Sequence, residues 1–143
     1  MESNRVKRVL VAVDESPRSI KVVERAAEIA GLFHAKIILV HVRQKVPDVL
    51  GEPFYQNLFN HYMHAAEQTT APLQVMLEDK GIDHEVLILE GDPAQAITEA
   101  ASNQKCELIV MGTRGLSNIA GMALGSVSHK VLQVMDRMVL IVP

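Results

Sequence analysis

The sequence predicts an α/β fold: an open five-stranded parallel sheet with helices on both faces. Three observations carry this. Short runs of aliphatic and β-branched residues recur along the chain, nearly continuous in hydrophobicity, as strands buried on both faces require. Longer segments between them carry apolar residues at helical spacing. Two of those segments open on a hydroxyl or carboxylate residue followed by proline, which caps a helix and presets its first φ. Strands that alternate with helices throughout belong to the α/β class, and right-handed crossovers then place helices on both sheet faces.

The first strand is "RVLVAV", Arg8 to Val13. Asp14 to Ser19 turns the chain, with Ser16 as cap and Pro17 at the first helical position. The helix that follows runs to Phe33, with Ile20, Val23, Ala27 and Ala30 on its apolar face and Lys21, Glu24, Arg25 and Glu28 on the other. "KIILVHV", Lys36 to Val42, is the second strand. "RQKVPDVLGEP" is a loop by its prolines and glycine. From Phe54 the pattern is helical, and Pro72 inside it should kink or divide the helix. Phe54, Tyr55, Phe59 and Tyr62 cluster at its start and read as a local packing patch. "HEVLIL", His84 to Leu89, is the third strand; Asp92 and Pro93 open a helix to about Gln104. "ELIVM", Glu107 to Met111, is the fourth strand, a helix starts near Ser126 and runs to Met135, and "MVLIV", Met138 to Val142, is the fifth strand.

Composition narrows the function classes. A chain of 143 residues is one domain's worth of sequence, here read as a single domain over residues 1–143. Net charge is −3 with both signs interspersed, which argues against a nucleic-acid surface built on a basic stripe. The lone Cys106 has no intramolecular partner, so a reducing compartment is expected. The N-terminus has no apolar leader segment, and no run approaches a spanning length; a cytoplasmic protein with no membrane association is the expectation. With aromatics at only 3%, the core must be aliphatic.

One stretch carries chemistry: "MGTRGLSNIAGMALGSVSHK", Met111 to Lys130. In open parallel sheets, ligands bind at the carboxyl ends of strands where the strand order reverses. Gly112 follows the fourth strand directly, and a residue without Cβ lets a ligand approach the backbone. Gly115 gives the same access and permits a left-handed turn. Gly125 and Ser126 open a helix, whose N-terminus presents unpaired N–H groups and partial positive charge to an anion. Ser126 and Ser128 add hydroxyls, and Arg114 adds a full charge. Together they describe a phosphate chain held mainly by amides and hydroxyls. Other phosphate loops fit worse. A P-loop needs lysine after its last glycine, whereas Ser126 and Val127 follow Gly125; a dinucleotide fingerprint needs glycines after the first strand, whereas that turn is "DESPRS".

With "VLVAVDES", "ILVHV", "GDPAQAI" and "ELIVMGTRGLSNIAGMALGSVSHKVL" in view, the sequence resembles the universal stress protein family over essentially its whole length. Gly112, Gly115, Gly125 and Ser126 match the spacing that marks the family's ATP-binding branch. The resemblance implies a Rossmann-like sheet of order 3-2-1-4-5. It implies that Asp14 meets the adenosine part of the nucleotide beside backbone near Ala12 and Val13. Val42 would line the adenine pocket, and Met111 and Gly112 would lie against adenine and ribose. Arg114, Gly115, Gly125, Ser126, Val127 and Ser128 would surround the phosphates, with Mg2+ or Mn2+ held through phosphate oxygens. An Asp14 carboxylate suits ribose hydroxyls, which it can accept from; the alternative is a helix-entry carboxylate with a local hydrogen bond. The family commonly dimerises through its last strand, and here that strand, 138–142, is apolar and uncharged with no helix after it, an edge that invites pairing. A homodimer is therefore expected.

Other candidates are weaker. His61 and His64 stand three apart with no third metal ligand nearby and read as a solvated face. His41 reads as a packed, hydrogen-bonded side chain, and Cys106 as structural. The resulting expectation is an ATP-binding stress-response protein, acting as a nucleotide-dependent regulator or chaperone-like factor. The alternative is a slow metal-dependent ATPase or nucleotide hydrolase, with Asp14 or a metal-bound water in the active role. The motif offers binding groups but no general base, so any hydrolysis should be slow.

Overall fold

The computed structural model describes residues 5–113 and 124–143. Strands β1 (Arg8–Val13), β2 (Lys36–Arg43), β3 (His84–Glu90), β4 (Leu108–Gly112) and β5 (Met138–Val142) form one sheet of order β3-β2-β1-β4-β5. Every neighbouring pair is parallel, as the alternating pattern predicts. Helices α1 (Arg18–Phe33), α2 (Phe54–Asp79), α3 (Pro93–Asn103) and α4 (Ser126–Val134) connect them.

Alternation along the strands sorts the core into two layers. Val9, Val11, Val13, Ile37 and Leu39 face α1 and α2, where they meet Val22, Val23, Leu73 and Leu77. Leu10, Ile38, Val40, Ile109 and Met111 face α3 and α4, where they meet Ile97, Ala101 and Val131. Nearly all of these side chains are withdrawn from water. Each large one contributes about 1.5–3 kcal/mol on burial. Among the described residues no aromatic enters either layer, in line with the composition.

Two local expectations are corrected. Ile20, placed on the apolar face of α1, is 50% exposed, whereas Ser19 is buried. The true stripe is Ser19, Val22, Val23, Ala26, Ala27 and Ala30, and Ile20 sits at its margin. Pro72 does not divide its helix: α2 is continuous from Phe54 to Asp79. Pro72 and the residue whose carbonyl it leaves unbonded, Gln68, are both exposed, so that carbonyl faces solvent. A single 3-10 turn at Asp48–Leu50, which the loop reading did not include, precedes α2.

Of the aromatic cluster opening α2, Phe54 is 65% exposed, while Phe59 makes a side-chain contact. The Arg43 guanidinium lies 4.9 Å from the centre of the Phe59 ring, a cation–π contact, and pairs with Glu90 at 3.2 Å. This ties the carboxyl ends of β2 and β3 to the start of α2.

Candidate functional site

A cleft of about 260 Å³ opens at the carboxyl ends of β1, β2 and β4. It lies where the topology rule puts it, because the chain leaves β1 toward β2 on one side and reaches β4 on the other. Ala12, Val13, Asp14, Val42, Met111 and Gly112 all line it, and so do Gly125, Ser126, Val127 and Ser128. Of the residues singled out from the sequence, Arg114 and Gly115 lie outside the described residues.

The cleft has two chemically different ends. Ala12, Val40, Val42, Ile97, Met111 and Val127 supply aliphatic surface from the α3–α4 side of the sheet. Asp14, Glu15, Arg18, Ser19, Ser126 and Ser128 supply carboxylates, a guanidinium and hydroxyls. An apolar slot with a polar mouth accepts a flat, weakly polar ring system joined to a hydrophilic, charged tail.

The turn after β1 is held by its own side chains. Asp14 Oδ1 accepts the Ser16 N–H at 2.8 Å, and the Ser16 hydroxyl accepts the Arg18 N–H at 3.3 Å. Ser19 Oγ accepts the Asp14 N–H at 3.0 Å and donates to the Asp14 carbonyl at 2.9 Å. Pro17, expected at the first helical position, is instead the cap residue of α1, which begins at Arg18, and the Ser16 hydroxyl stands one residue further out. Asp14 makes the local hydrogen bond the sequence allowed: Oδ1 is bound at the turn, and among the described residues Oδ2 has no partner. On the far side of β1, His41 Nδ1 bonds the Val13 carbonyl at 3.0 Å while the ring is buried. Bonding to a carbonyl oxygen makes Nδ1 the donor.

The opposite wall is the start of α4. Gly125 is its cap residue with φ −71° and ψ 166°, an extended conformation open to any residue. Gly125 N–H donates to the Thr113 carbonyl, and Thr113 N–H donates to Val142 at 3.1 Å, so the two flanks of residues 114–123 are joined beside β5. Ser128 is buried and donates its hydroxyl to the Gly112 carbonyl at 2.7 Å, which clamps α4 to the end of β4. The first intrahelical bond runs from His129 to Gly125 at 3.0 Å. Among the described residues the N–H groups of Ser126, Val127 and Ser128 have no acceptor, as at any helix start.

Glu15, Arg18, Ser19, Val40, Pro93 and Ile97 also line the cleft and were not foreseen. Val40 was within reach, since it stands two residues before Val42 and so shares its sheet face. Pro93 follows the carboxyl end of β3 through Gly91, whose φ of +113° favours glycine. Asp92 caps α3 by accepting the Gln95 N–H at 3.0 Å, which brings Pro93 and Ile97 over the apolar end.

The discounted residues stay away from the cleft. His61 and His64 are exposed on α2. Cys106 is buried, and burial pushes its thiol up to about 11, in keeping with a structural role. Among the described residues no group of three or more His, Cys, Asp or Glu is placed to hold a metal ion, and no helix is long and apolar enough to cross a membrane.

Residues 5–143 match the model of the universal stress protein family. A universal stress protein of Thermus aquaticus is 38% identical over 127 residues, covering 88% of this chain and 90% of the relative. Among solved structures, the protein MJ0577 superposes with a TM-score of 0.86 at 27% identity, covering 96% of this chain and 95% of that one. A universal stress protein in complex with cAMP superposes with a TM-score of 0.76 at 28% identity, covering 96% and 97%. The sheet order agrees with these likenesses, and the chain belongs to the universal stress protein family.

Proposed function

We propose that the cleft binds an adenine nucleotide, with ATP as the full ligand, and that the protein is a nucleotide-dependent regulator or chaperone-like factor of the stress response in the cytoplasm. The observation that carries this reading is the division of one cleft into an aliphatic slot and a hydroxyl- and amide-lined mouth. The relative solved with cAMP supports it, since cAMP is an adenine nucleotide.

In this reading the base lies between Ala12, Val40 and Val42 on the sheet and Pro93 and Ile97 on α3, near Met111, with the Val13 and Val42 main chains offering polar atoms at its edge. The free Oδ2 of Asp14 accepts ribose hydroxyls. The N–H groups of Ser126 and Val127 and the Ser126 hydroxyl meet phosphate oxygens beside the bare Cα of Gly112 and Gly125. Ser128 contributes its N–H, while its hydroxyl holds Gly112. Arg114 and Gly115 complete the phosphate shell in the proposal. Mg2+ or Mn2+ would arrive on the phosphates and neutralise part of their charge.

Acid extraction of the purified protein, followed by chromatography for adenine nucleotides, tests this directly. Recovery of ATP, ADP or AMP is expected. No released nucleotide, together with no heat of binding for ATP, ADP, AMP or cAMP, refutes it. The hydrolase alternative rests on Asp14 and Glu15, the carboxylates among the described lining residues. Turnover of about 1 per second or faster, an ordinary enzymatic rate, would favour it; binding without such turnover favours the regulator.

We also propose a homodimer formed through β5. Among the described residues the strand pairs with β4 alone and leaves Met138 55% and Leu140 37% exposed. An uncharged apolar edge is a template for a second copy.

A further inference from the structure

We propose that Arg18 sets the ligand preference of this cleft by reading the charge of the phosphate tail, so that di- and triphosphates are favoured over monophosphates and cyclic monophosphates. The inference rests on the nucleotide reading above and deepens it. Arg18 is the first residue of α1 and lines the cleft. Arg5, Arg8, Arg25, Arg43 and Arg137 each donate a side-chain hydrogen bond within the protein. The Arg18 side chain is exposed and has no acceptor among the described residues.

The position is unfavourable for a cation in the protein alone. The first turn of a helix carries partial positive charge and favours carboxylates. Glu15 and Asp14 lie three and four residues earlier, yet neither forms an ion pair with Arg18 among the described residues. Both carboxylates line the same cleft and repel a phosphate tail. Arg18 is the described lining residue that offsets them, and a guanidinium fork matches the spacing of phosphate oxygens. A cation at the polar mouth with no ion-pair partner among the described residues is available to a ligand's phosphates.

The test is calorimetric titration of wild type, Arg18→Gln and Arg18→Lys with adenosine, AMP, cAMP, ADP and ATP at low and high salt. Arg18→Gln is expected to weaken ATP and ADP by about 10-fold, the loss of one charge-assisted contact. AMP and cAMP should weaken far less, and adenosine should be unaffected. The ATP difference should shrink at high salt. Arg18→Lys should recover part of the loss. The ligand-free Gln variant should melt at or slightly above the wild-type temperature, since a poorly placed cation has gone. Equal weakening of all ligands including adenosine, unchanged ATP affinity, or equal loss in the Lys and Gln variants would overturn the role of Arg18 while leaving the nucleotide reading standing. A wild-type protein that binds none of these ligands would overturn both.

Discussion

Ser126 and Ser128 sit two residues apart at the start of α4, and their hydroxyls face opposite fates, which a pair of alanine substitutions separates. Ser128 is 3% exposed and donates to the Gly112 carbonyl at 2.7 Å. Ser128→Ala removes that bond and leaves a partly buried carbonyl without its donor. One such loss costs about 1–2 kcal/mol. For a domain of this length each kcal/mol moves the melting temperature by about 4 °C, so a fall of about 4–8 °C is expected. Ser126 is exposed and its hydroxyl has no acceptor among the described residues, so Ser126→Ala should change stability by less than about 0.5 kcal/mol. Binding reverses the order of directness. Ser126→Ala should weaken ATP by about 3- to 10-fold through one lost phosphate hydrogen bond, with no change in melting. Differential scanning calorimetry of ligand-free protein and titration with ATP read the two effects separately. Equal melting temperatures for Ser128→Ala and wild type would show that the clamp contributes nothing. A destabilised Ser126→Ala protein would show that the exposed hydroxyl serves the fold.

Leu140→Lys places a charge in the middle of the exposed β5 edge and should yield a monomer in sedimentation velocity where wild type sediments as a dimer; two identical profiles would remove β5 from the interface. Burial pushes the Glu107 carboxyl up, but the N–H groups of Arg8 and Lys7, at 2.9 and 3.0 Å, and the Lys7 charge more than offset it, so the group lies below its ordinary 4.5. A lowered folded value means that its stabilisation is complete above about pH 4.5 and is lost as pH falls through the folded value. Urea titrations should therefore show wild type exceeding Glu107→Gln at pH 7 and the gap closing toward pH 3; a gap independent of pH would refute the charge argument. Gly125→Ala should fold normally, because φ −71° is open to alanine, yet bind ATP more weakly; undiminished affinity would show that no ligand needs the bare Cα.

The fold was legible because its information is local and repetitive. "RVLVAV" and "KIILVHV" are apolar at successive positions, which only a strand covered on both faces tolerates. Asp92 followed by Pro93 marks a helix start by chemistry alone, and the cap bond to Gln95 is present. Reading failed where a tertiary contact overrides composition. Ser19 is polar by type but buried, because its hydroxyl closes the turn at Asp14. Counting only apolar residues therefore rotates the α1 stripe toward Ile20. Pro72 breaks a hydrogen-bond ladder, but on an exposed face the broken carbonyl meets solvent and the helix continues. The cleft shows the same division. Residues inside a strand-to-helix motif were found from spacing, whereas Ile97 and Arg18 enter it from helices whose placement is set by the sheet order.

Gly125 shows which property of a glycine this site uses. Its backbone is extended, so the freedom to reach positive φ is not what the position requires. Serine, aspartate or asparagine would cap α4 better than glycine by their side-chain oxygen. The helix therefore forgoes a cap contact at its own start, and no torsional constraint accounts for that. What glycine alone provides there is the absence of a side chain beside N–H groups that have no acceptor among the described residues. The same logic applies to Arg18 across the cleft, a cation set where its own helix disfavours it. Each wall of the cleft gives up a small local stabilisation, one by omitting a side chain and one by adding a charge. Both residues line the same cleft, and both suit the proposed nucleotide, an anion that would approach the backbone closely.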